Sequence, residues 1–143
     1  MVRINIKRSH KEAIVPSYAH EGDAGLDLFS TEEYVLKAGE QIAVNTGIQM
    51  AIPEGYVGLI WSKSGLASKN GIHHVAGVID ATYRGDITVI LKNSSRTDFT
   101  IAKGMKVAQL LIQPVTYVKL IEAQSLDQDN STRLSSGFGS TGR

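Results

Sequence analysis

The sequence predicts an all-β domain, built as a sandwich or a barrel of short strands. Short apolar segments follow one another along the chain, and turn-forming residues separate them. No segment shows the sustained helical period of a long amphipathic helix. We therefore expect at most one short helix, near residues 65–69.

The strand pattern begins at residues 2–7, where apolar and polar side chains alternate strictly, as in a half-buried strand. Residues 23–30 are the next predicted strand, in which Gly25 leaves room for another backbone to come close. Gly39 and Gly55 lie in turns. The remaining predicted strands cover residues 34–36, 41–44, 47–52, 56–61, 87–91, 99–101 and 107–112.

Residues 77–86 are the stretch around which the chain is organised, and their pattern predicts a hairpin. A strand ends at Asp80, residues 83–86 read as a turn, and a new strand starts at residue 87. A carboxylate held beside Tyr83 could activate a water molecule and lie beneath a flat ligand. Taken alone, however, an Asp at this position is more commonly a turn-initiating residue.

Residues 62–67 bring a cation, hydroxyls and a glycine together directly after a predicted strand. This combination suits an anion site, although such residues more often form a solvated loop. The pair His73 and His74 lies nearby. Because the chain has no cysteine and no spaced carboxylate partner for these histidines, we expect no metal site there.

Length and composition restrict the class of protein. A chain of 143 residues makes one domain with a real core, and its lack of cysteine excludes a disulfide scaffold and thiolate chemistry. The formal charge of +1 creates no global field for nucleic acid, so we expect no direct nucleic-acid binding. No apolar run is long enough to span a bilayer, and we expect a soluble, unprocessed protein with no membrane partner.

The C-terminal residues differ in character from the rest. We predict a β-barrel core over residues 1–123 and a flexible tail over residues 124–143, which is rich in Ser, Asp, Asn, Gly and Thr. Residues 136–142 surround Phe138 with glycines and hydroxyls. Such a segment suits a lid, because its N–H groups and hydroxyls could wrap a phosphate while the ring covers a base.

Five segments resemble, in order, the five motifs of the trimeric dUTPases. They are residues 23–28, 63–67, 77–86 and 104–110, and Arg133 together with residues 137–142. The resemblance implies a jelly-roll homotrimer with three shared active sites and a flexible C-terminal lid. It also implies hydrolysis of dUTP to dUMP and pyrophosphate with Mg²⁺, which limits uracil in DNA and supplies dUMP for dTMP synthesis. The implied location is cytoplasmic, or nuclear in a eukaryotic or viral setting.

The resemblance also implies roles for individual residues at the base and sugar end of the site. Asp80 would be the general base that activates water for attack on the α-phosphate. Tyr83 would lie under the deoxyribose and leave no room for a 2′-hydroxyl. Main-chain groups around Gly77, Val78 and Ile79 would read the uracil edge.

At the phosphate end, Asp27 would help to seat Mg²⁺ through water. The residues implied for phosphate binding are Lys63, Ser64, Gly65 and Gln109. From another subunit, Arg133 would reach the γ-phosphate and Phe138 would close over the base. Gly139, Ser140 and Thr141 complete this implied lid.

Some positions depart from the family pattern. Most relatives carry Arg where this chain has Lys63, and an ammonium group cannot make the two-pronged contact of a guanidinium, so we expect a different phosphate affinity. Thr82 replaces an acid that many relatives have, with little expected effect. Leu134 and Ser136 replace glycines of the lid, which we expect to be stiffer for that reason.

Two other functions remain open at this point. The dCTP deaminases resemble this fold, although the glycine-rich tail and the pair of Asp80 with Tyr83 favour a dUTPase. A trimer that acts chiefly as a regulator by binding another protein is compatible with any intact fold. The complete set of catalytic residues argues against regulation as the only role.

Overall fold

Ten strands and one helix form the part of the chain that the computed structural model describes, residues 1–126. The helix, α1, covers Ser64–Asn70. The strands are β1 (Asn5–Arg8), β2 (Leu26–Phe29), β3 (Tyr34–Leu36), β4 (Gln41–Ala51), β5 (Tyr56–Trp61), β6 (Ile72–His74), β7 (Val78–Ile79), β8 (Asp86–Asn93), β9 (Phe99–Ile101) and β10 (Lys106–Pro114). The predicted all-β class and the single short helix are both confirmed.

The strands form two four-stranded antiparallel sheets and one two-stranded ladder. The first sheet has the order β1-β4-β8-β6 and the second has the order β2-β10-β5-β7, while β3 pairs with β9. Neighbours within each large sheet are distant in sequence, because the chain crosses repeatedly between the sheets. This arrangement is a jelly-roll sandwich.

A single core lies between the sheets. In β8, Ile87, Val89 and Leu91 are buried and alternate with more accessible residues, as the period of a strand requires. They belong to the same buried cluster as Leu28 of β2 and Leu110 of β10. Burial of each such side chain contributes roughly 1.5–3 kcal/mol, so this core stabilises the scaffold that holds the site.

Three predicted strands, over residues 2–7, 41–44 and 47–52, differ from the structure. The N-terminal strand begins at Asn5 rather than residue 2, and it is exposed rather than half-buried, because it is an edge strand that pairs only with β4 in the described chain. Residues 41–44 and 47–52 were predicted as two strands, yet Gln41–Ala51 is one. Gly47 adopts a φ of 63°, and the register shifts between Asn45 and Gln49. The strand therefore continues past Gly47 with a β-bulge at this point.

The predicted hairpin over residues 77–86 is wrong. Val78 and Ile79 pair with β5 in the second sheet, whereas β8 belongs to the first sheet. The turn also lies earlier than predicted, since the Tyr83 N–H donates to the Asp80 carbonyl at 3.0 Å. Residues 77–86 therefore link the two sheets.

Strand β6 has no counterpart in the sequence prediction. It pairs with β8 through Ile72 and the two histidines. The predicted tail, residues 124–143, lies almost wholly outside the described residues, so its boundary stays a prediction. Within residues 1–126, no helix is long and apolar enough to cross a membrane.

Candidate active site

The loop that follows β5 is held by side chains from β6 and β10. The Gln109 amide donates from Nε2 to the Ser62 carbonyl at 3.1 Å. The Ser62 hydroxyl accepts the backbone N–H of His74 at 3.0 Å and lies 2.8 Å from Nδ1 of the same ring. This anchored loop leads to Lys63 and to Ser64, which is exposed in the first turn of α1.

The His74 ring is the second support of this loop. Burial lowers the pKa of His74, and the charge of His73 lowers it further. At neutral pH the ring is therefore neutral, and its Nδ1 shares a hydrogen bond with the Ser62 hydroxyl. The ring also packs against Trp61, with centroids 5.8 Å apart.

Gln109 forms one wall of a cavity of about 480 Å³, opposite Gly25. A Cβ atom at Gly25 would lie 2.5 Å from Gln109 Oε1, so any larger residue there would displace the amide. The sequence predicts another backbone beside Gly25; the structure has the Gln109 side chain there instead. Gly25 is thus required for the position of a predicted phosphate-binding group.

Asp27 lies opposite Gln109 in the pairing of β2 with β10, so both side chains share one face of the sheet. Asp27 is only 2% exposed. Lys63 Nζ donates to Asp27 Oδ1, and Lys106 Nζ lies 2.7 Å from Oδ2. Two cations on one carboxylate leave a local charge of about +1, which favours an anionic ligand.

Opposing effects act on the Asp27 carboxyl group. Burial raises its pKa, but Lys106 and Lys63 together outweigh burial and hold the pKa below the usual range. The carboxylate therefore stays ionised at neutral pH. Among the described residues, no donor is aligned for a hydrogen bond to its Oδ2.

A second, smaller cavity of about 160 Å³ is lined by Asp80 and Tyr83 at the end of β7. Asp80 is exposed, so its carboxylate is accessible to water. The Tyr83 hydroxyl donates to the Asp86 carbonyl at 3.0 Å, and a side chain at Gly85 would overlap with this hydroxyl. The ring is thus held beside the Asp80 carboxylate. This is the arrangement that the sequence analysis proposed for a carboxylate that activates water.

The backbone of β7 has one paired and one open edge. Ile60 donates its N–H to the Gly77 carbonyl at 2.8 Å. In an antiparallel pair, residues that exchange hydrogen bonds alternate with residues whose N–H and C=O point away. The main-chain groups of Val78 therefore point away from β5, to an edge that no other described strand covers.

The two halves of the candidate site are far apart within one chain. Ile79 pairs with Gly58, so Asp80 is level with Val57, whereas Gln109 pairs with Trp61. Four residues of strand separate these levels, which corresponds to about 13 Å. Asp80 and Gln109 therefore lie at different levels of the second sheet.

The dUTPase family model matches residues 11–142. The chain belongs to the dUTPase family. The deoxyuridine 5'-triphosphate nucleotidohydrolase of Clostridium acetobutylicum is 48% identical over 144 residues, which cover 99% of this chain and 98% of that protein. The protein of the same name from Alkaliphilus metalliredigens is 46% identical over 144 residues, with 99% of both chains covered.

Solved dUTPases share the fold of this chain. The Staphylococcus bacteriophage 80alpha dUTPase with dUPNHPP has a TM-score of 0.93 and 31% identity, and the match covers 100% of both chains. A mutant dUTPase from phage phi11 of S. aureus, solved to show the coordination of a structural Mg(II) ion, has a TM-score of 0.83 and 29% identity. That match covers 88% of this chain and 99% of the phage chain.

As a dUTPase, the chain collects its predicted site residues into two groups. Asp27, Lys63 and Gln109 meet beside the start of α1, where Ser64 and Gly65 lie. Asp80, Tyr83, Val78 and Ile79 meet at the end of β7, and Gly77 lies against β5. The predicted lid residues Arg133, Phe138, Gly139, Ser140 and Thr141 lie outside the described residues.

Sequence reasoning missed four supporting residues of this dUTPase. Ser62 and His74 hold the loop, Gly25 makes room for Gln109, and Lys106 contacts Asp27. Gly25 and Lys106 lie within two of the five family motifs, residues 23–28 and 104–110, and this position could have indicated a role in the site. His74 had no such signal, because its contact with Ser62 depends on β6.

The surroundings of Asp27 show whether this site could hold a magnesium ion. Among the described residues, no group of three His, Asp or Glu side chains could hold a metal ion. The buried Oδ2 of Asp27 lacks an aligned donor and could accept a hydrogen bond from a metal-bound water. Two neighbouring ammonium groups disfavour direct coordination. These features fit Mg²⁺ held through water and brought by an anionic ligand.

Proposed function

We propose that this chain hydrolyses dUTP to dUMP and pyrophosphate. Membership of the dUTPase family supports the reaction, and the observation that carries it is the accessible Asp80 carboxylate beside the fixed Tyr83 ring. Phosphoryl transfer asks chiefly for positioning and charge stabilisation, and both groups of residues supply these.

Asp80 acts as the general base in this proposal. Its carboxylate takes a proton from water while the water oxygen bonds to the α-phosphorus. The bond from that phosphorus to the bridging oxygen breaks, and pyrophosphate leaves. The exposure of Asp80 supports this role, because an accessible carboxylate can reach a water molecule that contacts the substrate.

The open edge of β7 supports selection of the base. Uracil has an N–H donor beside a carbonyl acceptor, which complements the outward C=O and N–H groups of Val78. Cytosine has an amino donor in place of that carbonyl, so polar groups would be left unpaired. Because the backbone reads the base, no specific side chain is needed at this position.

Tyr83 selects the sugar. The hydrogen bond from its hydroxyl to the Asp86 carbonyl positions the ring, and Gly85 has no side chain to displace it. A rigid aromatic surface packs against deoxyribose but leaves no space for a 2′-hydroxyl. Discrimination against UTP follows from this contact.

The residues around the first turn of α1 bind the phosphates. Lys63, Ser64, Gly65 and Gln109 provide an ammonium group, a hydroxyl, main-chain N–H groups and an amide. Mg²⁺, when bound, would neutralise charge on the phosphate oxygens, and Asp27 would hold it through water. Arg133 and Phe138, with Gly139, Ser140 and Thr141, complete the proposed site as a lid.

A homotrimer with shared sites is part of the proposal. The gap of about 13 Å along β5 separates the two groups within one chain, and a second copy that supplies one of them would bring both groups to one triphosphate. The segment after β10 also exposes Tyr117, Val118, Leu120 and Ile121, whose apolar surfaces suit a subunit interface. The similarity to bacterial dUTPases supports a cytoplasmic location.

Pyrophosphate release from dUTP, dCTP, dTTP and UTP tests the function. We expect release from dUTP and little from the other three nucleotides. Deamination of dCTP would instead indicate the related deaminases. No turnover of any nucleotide would contradict the proposal and favour a regulator that binds another protein.

A further inference from the structure

We infer that Lys106 is a further triphosphate-binding residue, which forms with Lys63 a pair of ammonium groups held on the buried Asp27 carboxylate. The inference rests on the proposed function and extends it, because the family resemblance gives Lys106 no role although the residue lies within one of the five motifs. We call Lys63, Asp27 and Lys106 the lysine clamp. Three observations carry the assignment.

The first observation is the charge balance of the clamp. Asp27 is buried, whereas the Lys63 and Lys106 side chains are 29% and 48% exposed. One carboxylate neutralises only one of the two ammonium groups. Each ammonium group has three donors, so both lysines retain donors that point to the accessible side. The clamp therefore presents excess positive charge and free donors to an anion.

The second observation is the local geometry of β10. Residues three apart on a regular strand point to opposite faces, so Lys106 and Gln109 would normally be separated by the sheet. Here Lys106 pairs with Phe29 and Ala108 with Leu28, so one extra residue enters β10. This bulge returns Lys106 to the face that carries Gln109 and Asp27. The irregularity thus directs Lys106 to the proposed phosphate end.

The third observation is that an ion pair with Asp27 positions Lys106 but does not use all the hydrogen-bond donors of its ammonium group. Its Nζ lies 2.7 Å from Asp27 Oδ2, but the contact lacks the alignment of a hydrogen bond. Nζ also lies 6.0 Å from the centroid of the Phe29 ring. Charge attraction therefore positions the ammonium group while its donors stay available.

The chain offers a matched control for Lys106. Lys103 lies just before β10, is similarly exposed at 55%, and has its Nζ 2.7 Å from Glu12 Oε2. Lys106→Gln and Lys103→Gln therefore remove the same charge and break an ion pair of the same length. The two variants differ in the carboxylate that loses its partner. Lys106→Gln affects Asp27, which belongs to the proposed site, whereas Lys103→Gln affects Glu12, which does not.

We expect Lys106→Gln to raise the KM for dUTP and the Kd for pyrophosphate about tenfold, the value of one charge-assisted contact. Binding of deoxyuridine, which has no phosphate, should be unchanged by calorimetry. Lys106→Arg should restore pyrophosphate binding, because it keeps the charge. Lys103→Gln should leave all three quantities at their original values.

The inference is overturned if Lys106→Gln and Lys103→Gln bind pyrophosphate equally well. It is also overturned if Lys106→Gln weakens deoxyuridine and pyrophosphate to the same extent, because that result indicates general damage to the fold. A wild-type protein that does not hydrolyse dUTP would contradict the proposed function instead. These outcomes distinguish the two proposals.

A measurement on the unaltered protein covers the case in which Lys106→Gln does not fold. With ¹⁵N-labelled lysine, addition of pyrophosphate should shift the Nζ resonances of Lys63 and Lys106 and leave that of Lys103 unchanged. A Lys106 resonance that stays in place at saturating pyrophosphate would overturn the inference.

Discussion

Ile60 and Gly77 are joined by a 2.8 Å hydrogen bond from N–H to carbonyl, and this contact fixes β7 against β5. A Cβ atom at Gly77 would lie 2.7 Å from Ile60 Cβ and 2.9 Å from the Ile60 carbonyl oxygen. The close approach of the two backbones therefore determines where Val78 presents its main-chain groups and where Asp80 begins the turn.

We expect Gly77→Ala to destabilise the protein by about 1–3 kcal/mol, since an added methyl group overpacks a rigid contact. It should also weaken deoxyuridine binding, because β7 must move away from β5. Urea unfolding and calorimetry measure the two effects. Gly65→Ala is the control for stability, because its added Cβ would meet nothing within 4 Å beyond the adjacent residues and the backbone of its own helix. Equal stability of the two variants would contradict the contact.

Asp80→Asn should leave folding and nucleotide binding intact while turnover falls about 10²–10⁴-fold, because an amide cannot accept the proton of the attacking water. Steady-state pyrophosphate release and binding of a non-hydrolysable analogue measure the two properties separately. Asp98→Asn, at an exposed carboxylate that accepts the Ala38 N–H, is the control. If Asp80→Asn turned over dUTP at a normal rate, the base role would belong to another group.

Mixed trimers test whether the sites are shared. Subunits with Asp80→Asn and subunits with Gln109→Ala should each be weakly active alone. In trimers assembled from equal amounts of both, roughly a quarter of the sites should combine an intact Asp80 with an intact Gln109 from another subunit. Mass spectrometry verifies mixing, and the rate of pyrophosphate release reports recovery. Verified mixed trimers with no recovery would show that each site lies within one chain.

Acid stability should depend on Asp86. Hydrogen bonds from Ser9 and Gln49, which outweigh burial, lower the pKa of Asp86, and the Gln49 Nε2 to Oδ1 distance is 2.9 Å. Because the folded pKa is below the unfolded one, this carboxylate stabilises the fold fully above about pH 4 and loses its contribution as pH falls through the folded pKa.

Gln49→Met removes one of these donors, so the stability of the variant should depend less steeply on pH below about pH 4 than that of the unaltered protein. Thermal unfolding from pH 7 to pH 2 measures the difference. Parallel curves for the two proteins across this range would contradict the assigned cause.

The local pattern of apolar and polar residues was sufficient to predict several secondary-structure elements of this protein. Residues 87–91 were predicted as a strand, and β8 contains them, with Ile87, Val89 and Leu91 buried. At most one short helix was predicted, near residues 65–69, and α1 lies there. Such features depend on neighbours in sequence, which is why the order of residues determines them.

Pairing between distant strands decided the rest. Val78 pairs with β5 rather than with β8. Strand β4 continues past Gly47 with a bulge, and β6 pairs with β8. The sequence by itself determined the all-β class, most of the strands, the motif residues and their chemistry. Only the tertiary structure decided that Lys106 shares a face with Gln109, and that Asp80 lies about 13 Å from it along β5. The physical reason is that a one-residue change of register reverses the face of every following side chain, and register is set by contacts between strands that are far apart in the chain.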